Sequence, residues 1–223
     1  WTVELGDGTR LSARAIVLAT GAVPVVPDIE GLAEADPLTS DSLWSLEAVP
    51  QRLAVVGAGA IGCEMAQAFA RLGATVTLIE RGAHILPVED ADIADRLAAV
   101  LTDEGVTIKT RTALAAVRVR DDGQELVLDG AEPVVVDRIL VAVGRAPRTQ
   151  GLGLEELGIL RDGRIAVDEY LQTALPSIYA CGDAIGGYQL THAASHEAWH
   201  ATVNALFGSF KRFAVDYSKL PWC

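Results

Sequence analysis

The stretch Val55-Val56-Gly57-Ala58-Gly59-Ala60-Ile61-Gly62-Cys63-Glu64 has the glycine spacing of a loop that cradles phosphate. In such a loop Gly57 permits a tight turn, Gly59 lets backbone amides approach a pyrophosphate, and Gly62 lets a helix pack closely on a strand. Ala58, Ala60 and Ile61 supply the backbone between them, and the helix that opens there adds partial positive charge at its N-terminus. Glu80, about 20 residues further on at the end of the next apolar run, is placed to accept hydrogen bonds from both hydroxyls of an adenosine ribose. Its negative charge repels a 2′-phosphate, so NAD is favoured over NADP; Arg81, directly behind it, is a group that can help hold such a phosphate.

A second pattern offers different chemistry. His196-Glu197-Ala198-Trp199-His200 matches H-E-x-x-H, in which two histidines four apart on a helix bind zinc and the glutamate acts as general base. His192 lies one further turn back. After His200 the chain offers no histidine or glutamate as a downstream third ligand, which weighs against a zinc hydrolase. The three cysteines, Cys63, Cys181 and Cys223, are too widely spaced for a disulfide framework or a metal knuckle, and a reducing cytoplasm is the expectation.

These residues must be positioned by a chain of 223 residues, half of them hydrophobic, with a net charge of -12. That charge lacks the basic footprint of a nucleic-acid or anionic-membrane partner, and neither is expected. No apolar run approaches the roughly 20 residues that span a bilayer. A first residue that is Trp1 rather than Met, and an ending at Pro221-Trp222-Cys223, lead us to expect a piece of a longer chain.

Thr2 to Leu11 alternates as a hairpin around Gly6-Asp7-Gly8, and Ala15 to Leu18 reads as a buried strand ending in Ala19-Thr20-Gly21-Ala22. Prolines and glycines from Pro24 to Pro37 read as a linker. From Arg52 the pattern becomes β-α-β-α-β. Leu53 to Val56 is a strand; Ile61, Met65, Phe69 and Leu72 share a helical face; Thr75 to Ile79 is a strand; Ile93, Leu97, Val100 and Leu101 share a second helical face; Val106 to Ile108 follows. The grammar predicts a parallel sheet with right-handed crossovers. Short pieces around 117–119, 126–128 and 134–136 predict an antiparallel meander, before a strand over Ile139 to Val143 that leads to Gly144-Arg145-Ala146-Pro147.

Taken together, these motifs resemble the flavin-dependent pyridine nucleotide-disulfide oxidoreductases, the family of dihydrolipoamide dehydrogenase, glutathione reductase and mercuric reductase. The resemblance implies an α/β fold in which a Rossmann-like NAD domain, parallel sheet plus β-meander, is inserted into a discontinuous FAD domain of similar fold. Residues 1–42 would be the end of the first FAD portion and a linker, 43–148 the NAD domain, 149–213 the second FAD portion, and 214–223 the start of an interface domain. It implies FAD contacts from Thr20, Gly21 and Ala22, from Asp183 in Ser177-Ile178-Tyr179-Ala180-Cys181-Gly182-Asp183, and from Gln189, Leu190, Thr191 and His192 at the following helix start. It implies NAD contacts from Leu114 and Gly144, and a flavin-facing role for Glu64.

Blander readings stay open beside these: Leu114 as a core leucine, Glu64 as a solvated first-turn carboxylate favoured by the helix dipole, Asp183 as an N-cap residue. The family's FAD pyrophosphate loop, its redox Cys-x-x-x-x-Cys with the lysine that follows, and its carboxy-terminal interface domain with the His-Glu acid-base pair are absent from these 223 residues. The expected parent, a homodimer, passes electrons between NAD(H), FAD and a redox disulfide to a small-molecule or disulfide substrate, while this piece at most binds NAD(H). Alternatives are an NAD-binding regulatory module without flavin and, through His196-Glu197-x-x-His200, the zinc hydrolase. The family's common Glu-Gly pair falls at Glu197-Ala198, which places that motif on a flavin-side helix instead.

Overall fold

The structure, a computed structural model, describes residues 1–221; Trp222 and Cys223, and the expectations attached to them, lie outside the described residues. In chain order the elements are β1 (Thr2–Glu4), β2 (Arg10–Ser12), β3 (Ile16–Leu18), β4 (Ala22–Pro24), β5 (Arg52–Val56), α1 (Ala60–Arg71), β6 (Thr75–Ile79), α2 (Ala91–Asp103), β7 (Thr107–Lys109), β8 (Leu114–Arg120), β9 (Gly123–Leu128), β10 (Val134–Val136), β11 (Arg138–Val141), β12 (Arg145–Pro147), β13 (Leu160–Arg161), β14 (Arg164–Ile165), β15 (Ile178–Ala180) and α3 (Thr191–Phe207). They form two compact units, one of Trp1–Val23 with the chain from Ala146 onward, the other of Pro24–Arg145.

In the second unit the apolar runs of β5, β6 and β11 are buried on both faces, which suits a parallel sheet. The strand order is β11-β5-β6-β7, all parallel, with Val55 opposite Leu78 and Leu140. The two-residue period of β5 divides the core. Leu53 and Val55 pack with Leu78, Leu101 and Leu140 on the side of α1 and α2, while Ala54 and Val56 pack with Val117, Leu126 and Ile139 on the side of the antiparallel sheet β8-β9-β10. The meander and the β-α-β-α-β order stand as the sequence pattern predicts.

Three local expectations are corrected. Helix α1 buries Gly62, Cys63, Ala66 and Phe69, not the stripe through Leu72, which is 64% exposed; small residues let the helix axis approach the sheet and turn its larger side chains to the flank. In α2 the buried pair is Ala94 and Leu101, with Ile93 and Val100 exposed. Strand β3 is only half-buried, since among the described residues it pairs with β15 alone.

The segment read as linker is also packed. Leu32 and Ala35 enter the meander-side core, Leu38 and Leu43 the helix-side core, and Leu38 exchanges backbone hydrogen bonds with Ile139 and Val141. Gly31, at φ +75°, sits where a Cβ would lie 2.0 Å from the Val117 carbonyl oxygen.

Arg52 closes the start of β5 on Asp137. Its backbone N–H and guanidinium donate to the carboxylate at 2.7 Å and 2.6 Å. The Arg52 guanidinium holds the Asp137 carboxyl below the ordinary aspartate range. A depressed folded value stabilises above the ordinary value of 3.8 and is lost as pH falls through the folded one. The pair is more than one-third exposed, so screening keeps its contribution to under about 1 kcal/mol. Urea unfolding should therefore show Asp137→Asn less stable than the parent at pH 7, with the gap narrowing as pH falls below 3.8; a pH-independent gap would assign the loss to packing.

In the first unit, Trp1–Val23 supplies the exposed hairpin β1-β2 and then β3, which lies parallel to β15 with Val17 opposite Tyr179. Ile159, Ile165, Ile178, Ala180 and Ala184 form one core with Leu18 against it, and Leu171, Tyr179, Cys181 and Ala201 form a second that seats α3.

Candidate nucleotide and cofactor sites

The glycine loop joins the end of β5 to α1, at the carboxyl edge of the parallel sheet where such folds take ligands. Gly57 has φ +99°, and a Cβ on it would stand 2.5 Å from the Ala142 carbonyl oxygen. A Cβ on Gly62 would stand 1.9 Å from the Gly57 carbonyl oxygen, so the helix start lies directly against the loop. Gly59 differs: its φ of -71° suits any residue, and a Cβ there would meet nothing within 4 Å. The space in front of Gly59 is thus open to a ligand. Helix α1 carries no side-chain cap and no acid in its first turn, which leaves its leading amide N–H groups and partial positive charge for an anion. Ala60 is exposed and Ile61 half-buried at that edge.

Glu80 directly follows β6 and is only 8% exposed. One carboxylate oxygen accepts the Ala58 N–H at 2.9 Å and the other the Gly82 N–H at 2.6 Å. The Ala58 carbonyl in turn accepts the Leu86 N–H at 2.7 Å. The middle of the glycine loop is held on both sides before any ligand arrives, and sequence spacing gives no sign of either bond.

Gly144 follows β11 at φ +130° with open space at its Cβ, two residues past the Ala142 that covers Gly57. Leu114 is buried among Val117, Leu126 and Leu128 in the meander-side core, which is the place of a core leucine. Glu64 is exposed and lies beyond the first turn of α1, so its reading as a first-turn carboxylate is corrected. With Ala60, Cys63, Gln67, Leu86 and Leu97 it lines a half-open cavity of about 190 Å³.

In the first unit, two motifs 161 residues apart meet at one strand edge. The turn Thr20-Gly21-Ala22 follows β3, and Cys181-Gly182-Asp183 follows its parallel neighbour β15; the Cys181 N–H donates to the Leu18 carbonyl at 3.1 Å. Thr20 donates its hydroxyl to the Arg148 carbonyl at 2.7 Å, Gly21 takes φ +69°, and Ala22 is buried. Asp183 stands half-buried in a short 3-10 turn, Gly182–Ile185, as its first-turn acid rather than its N-cap, which is Cys181. Gln189 and Thr191 are exposed, Leu190 caps α3, and His192 contacts the Pro221 carbonyl through Nε2 at 2.9 Å.

Residues 2–198 match the family model of pyridine nucleotide-disulphide oxidoreductase. The chain belongs to that family. Within it, the chain is 37% identical over 220 residues to a mercuric reductase of Staphylococcus aureus, covering 96% of this chain and 40% of that protein. It is 39% identical over 226 residues to a dihydrolipoyl dehydrogenase of Bacillus subtilis (strain 168), covering 99% and 48%. Among solved structures it superposes on the HOCl-induced flavoprotein disulfide reductase RclA from Escherichia coli with a TM-score of 0.88 at 31% identity, covering 98% of this chain and 50% of that one. The chain spans about half the length of these relatives.

Placed in this oxidoreductase family, the H-E-x-x-H pattern has another use. Glu197 is 1% exposed and both its oxygens are engaged, one by the Gly182 N–H at 2.6 Å and the other by the Tyr217 hydroxyl at 2.8 Å. A carboxylate so enclosed is not a general base for a metal-bound water. His196 contacts the Asp216 carbonyl through Nε2 and His200 the His196 carbonyl through Nδ1. Among the described residues no group of three or more His, Cys, Asp or Glu side chains is arranged to hold a metal ion. Cys63 and Cys181 are buried and unpaired; burial pushes the Cys63 thiol up to about 11 and raises Cys181, the reverse of a reactive thiolate. The described helices include none long and apolar enough to cross a membrane.

Proposed function

We propose that Pro24–Arg145 binds NAD(H), and that the chain is the NAD-binding part, with portions of the FAD-binding part, of a flavin-dependent disulfide oxidoreductase. The observation that carries the reading is the open space in front of Gly59 at an uncapped helix N-terminus, beside a carboxylate at the end of β6 that favours ribose hydroxyls over a 2′-phosphate. The backbone amides of the first turn of α1 would hold the pyrophosphate, with Gly57, Ala58, Ala60, Ile61 and Gly62 shaping the cradle, Glu80 at the adenosine ribose and Gly144 further along the sheet edge.

For the flavin, Thr20, Gly21 and Ala22 at the end of β3 and Asp183 beyond β15 converge at the carboxyl ends of parallel strands, and Gln189 to His192 open the following helix. Their donors and acceptors fit a polyhydroxylated chain, with Asp183 as acceptor. In the whole protein FAD would relay the electrons of NADH to a disulfide. Neither Cys63 nor Cys181 is suited to be that disulfide, so the reaction belongs to the longer protein, a homodimer of mercuric-reductase or dihydrolipoamide-dehydrogenase type in the cytoplasm, and this chain alone is inactive.

Titration of the metal-free chain with NADH, NADPH and FAD, followed by tryptophan fluorescence, tests the reading. Saturable quenching by NADH, weaker quenching by NADPH and none by FAD is the expected pattern. Absence of quenching by either pyridine nucleotide would overturn it.

A further inference from the structure

Beyond the nucleotide loop, the structure contains a buried carboxylate that no substrate would reach. Glu197 sits on the inner face of α3 and is 1% exposed. No arginine or lysine pairs with it among the described residues; the titratable groups acting on it include Tyr217, His196 and Asp183, and burial raises it above the ordinary glutamate range. Such a group is costly unless its bonds specify something.

What it bonds are two separate stretches of chain. Its Oε2 accepts the Gly182 N–H at 2.6 Å, at the peptide that leads into Asp183. Gly182 is left-handed at φ +70°, and a Cβ on it would lie 3.3 Å from the Ala194 Cβ, so the turn is pressed onto α3 within one helical turn of Glu197. Its Oε1 accepts the Tyr217 hydroxyl at 2.8 Å.

Tyr217 belongs to an irregular segment that runs antiparallel along α3. The Asn204 side chain exchanges two hydrogen bonds with the Phe213 backbone, both at 2.8 Å. His196 meets the Asp216 carbonyl at 3.1 Å and His192 the Pro221 carbonyl at 2.9 Å. At its start Arg212 pairs with Asp168 at 3.2 Å and stacks over the Tyr170 ring. The segment has no regular secondary structure; side chains spaced along one helix hold it, and Glu197 is the point where that hold reaches the turn of Asp183.

We propose that Glu197 is a positioning residue that sets the Gly182-Asp183 peptide and makes its geometry depend on the docking of residues 213–221 along α3. The functional meaning rests on the reading of Asp183 as a flavin ligand: the turn is in its receiving shape only when the segment is seated.

The test compares the full chain with Tyr217→Phe, Glu197→Gln and Glu197→Leu by amide hydrogen exchange. The Val55 amide in the other unit serves as reference. Glu197→Leu leaves the Gly182 N–H without its acceptor and should speed its exchange roughly tenfold. Tyr217→Phe keeps the acceptor but frees the segment, and should speed Gly182 exchange severalfold while Val55 is unchanged. Glu197→Gln can accept from Gly182 and donate to the tyrosine oxygen, and should exchange like the parent. If Glu197→Leu does not fold, the Tyr217→Phe and Glu197→Gln pair decides alone. Gly182 exchange unmoved by Tyr217→Phe, or as fast in Glu197→Gln as in Glu197→Leu, would overturn the proposal. The exchange pattern decides the coupling whatever Asp183 binds. The flavin reading is tested apart from it, in the longer flavoprotein, where Asp183→Ala should lower FAD content; an unchanged FAD content would remove that reading while leaving the coupling standing.

Discussion

Substituting alanine at two glycines of the same loop should give opposite results. In Gly62→Ala the new methyl falls 1.9 Å from the Gly57 carbonyl oxygen, backbone against backbone. Neither side can yield without shifting α1 from the sheet, and a loss of about 3 kcal/mol, or roughly 6–12 °C in Tm, is expected. In Gly59→Ala the methyl meets nothing within 4 Å and the backbone already has an ordinary conformation, so stability should change by less than about 1 kcal/mol. That methyl occupies the space assigned to the pyrophosphate, and NADH should bind at least about tenfold more weakly, a penalty of overlap with a ligand that the protein cannot relieve. Thermal melts beside NADH titrations separate the two. Undiminished NADH affinity in Gly59→Ala would place the nucleotide elsewhere, and a melt of Gly62→Ala like that of the parent would refute the packing argument.

Glu80→Gln should do more than relax the preference for NADH over NADPH. By spacing alone, Glu80 serves the ribose hydroxyls, and removing its charge would simply admit a 2′-phosphate. In the structure the two carboxylate oxygens also accept the Ala58 and Gly82 N–H groups. A glutamine has one such oxygen and would turn an NH2 group toward the remaining donor. Loss of one buried acceptor costs about 1–3 kcal/mol, and part of that appears as a looser glycine loop. NADH affinity should therefore fall about tenfold while NADPH affinity holds or rises, so that the selectivity narrows from the NADH side. If NADH binds Glu80→Gln as it binds the parent while NADPH improves, the carboxylate acts on the ribose only. If neither affinity moves, another residue sets the preference.

Much of this protein is present in local pattern. The glycine triplet, the buried runs of β5, β6 and β11, and the three meander pieces are legible because each depends on spacing within a few residues. The match of family over residues 2–198 agrees with that reading. Side-chain facing was less legible. Leu72, Ile93 and Val100 fit a helical stripe yet lie outside, because Gly62, Ala66 and Ala94 set how close the helices come, and hydrophobicity alone does not record size. The prolines and glycines of residues 24–42 mark irregular backbone, but irregular backbone is not the same as unpacked chain, and Leu32, Ala35, Leu38 and Leu43 are core residues.

By itself, then, the sequence determined the order of elements, the glycine loop and the acid beyond it, since these follow from backbone sterics and a period of two or 3.6 residues. Only the tertiary structure decided what Glu80 and Glu197 hold. Apart from the local Gly82 N–H at Glu80, the partners of these two glutamates, Ala58 for one and Gly182 and Tyr217 for the other, lie 15 to 22 residues away. Such partners are brought near by the packing of a strand or helix against its neighbour, so the bonds exist only once the chain has folded, and no local spacing encodes them.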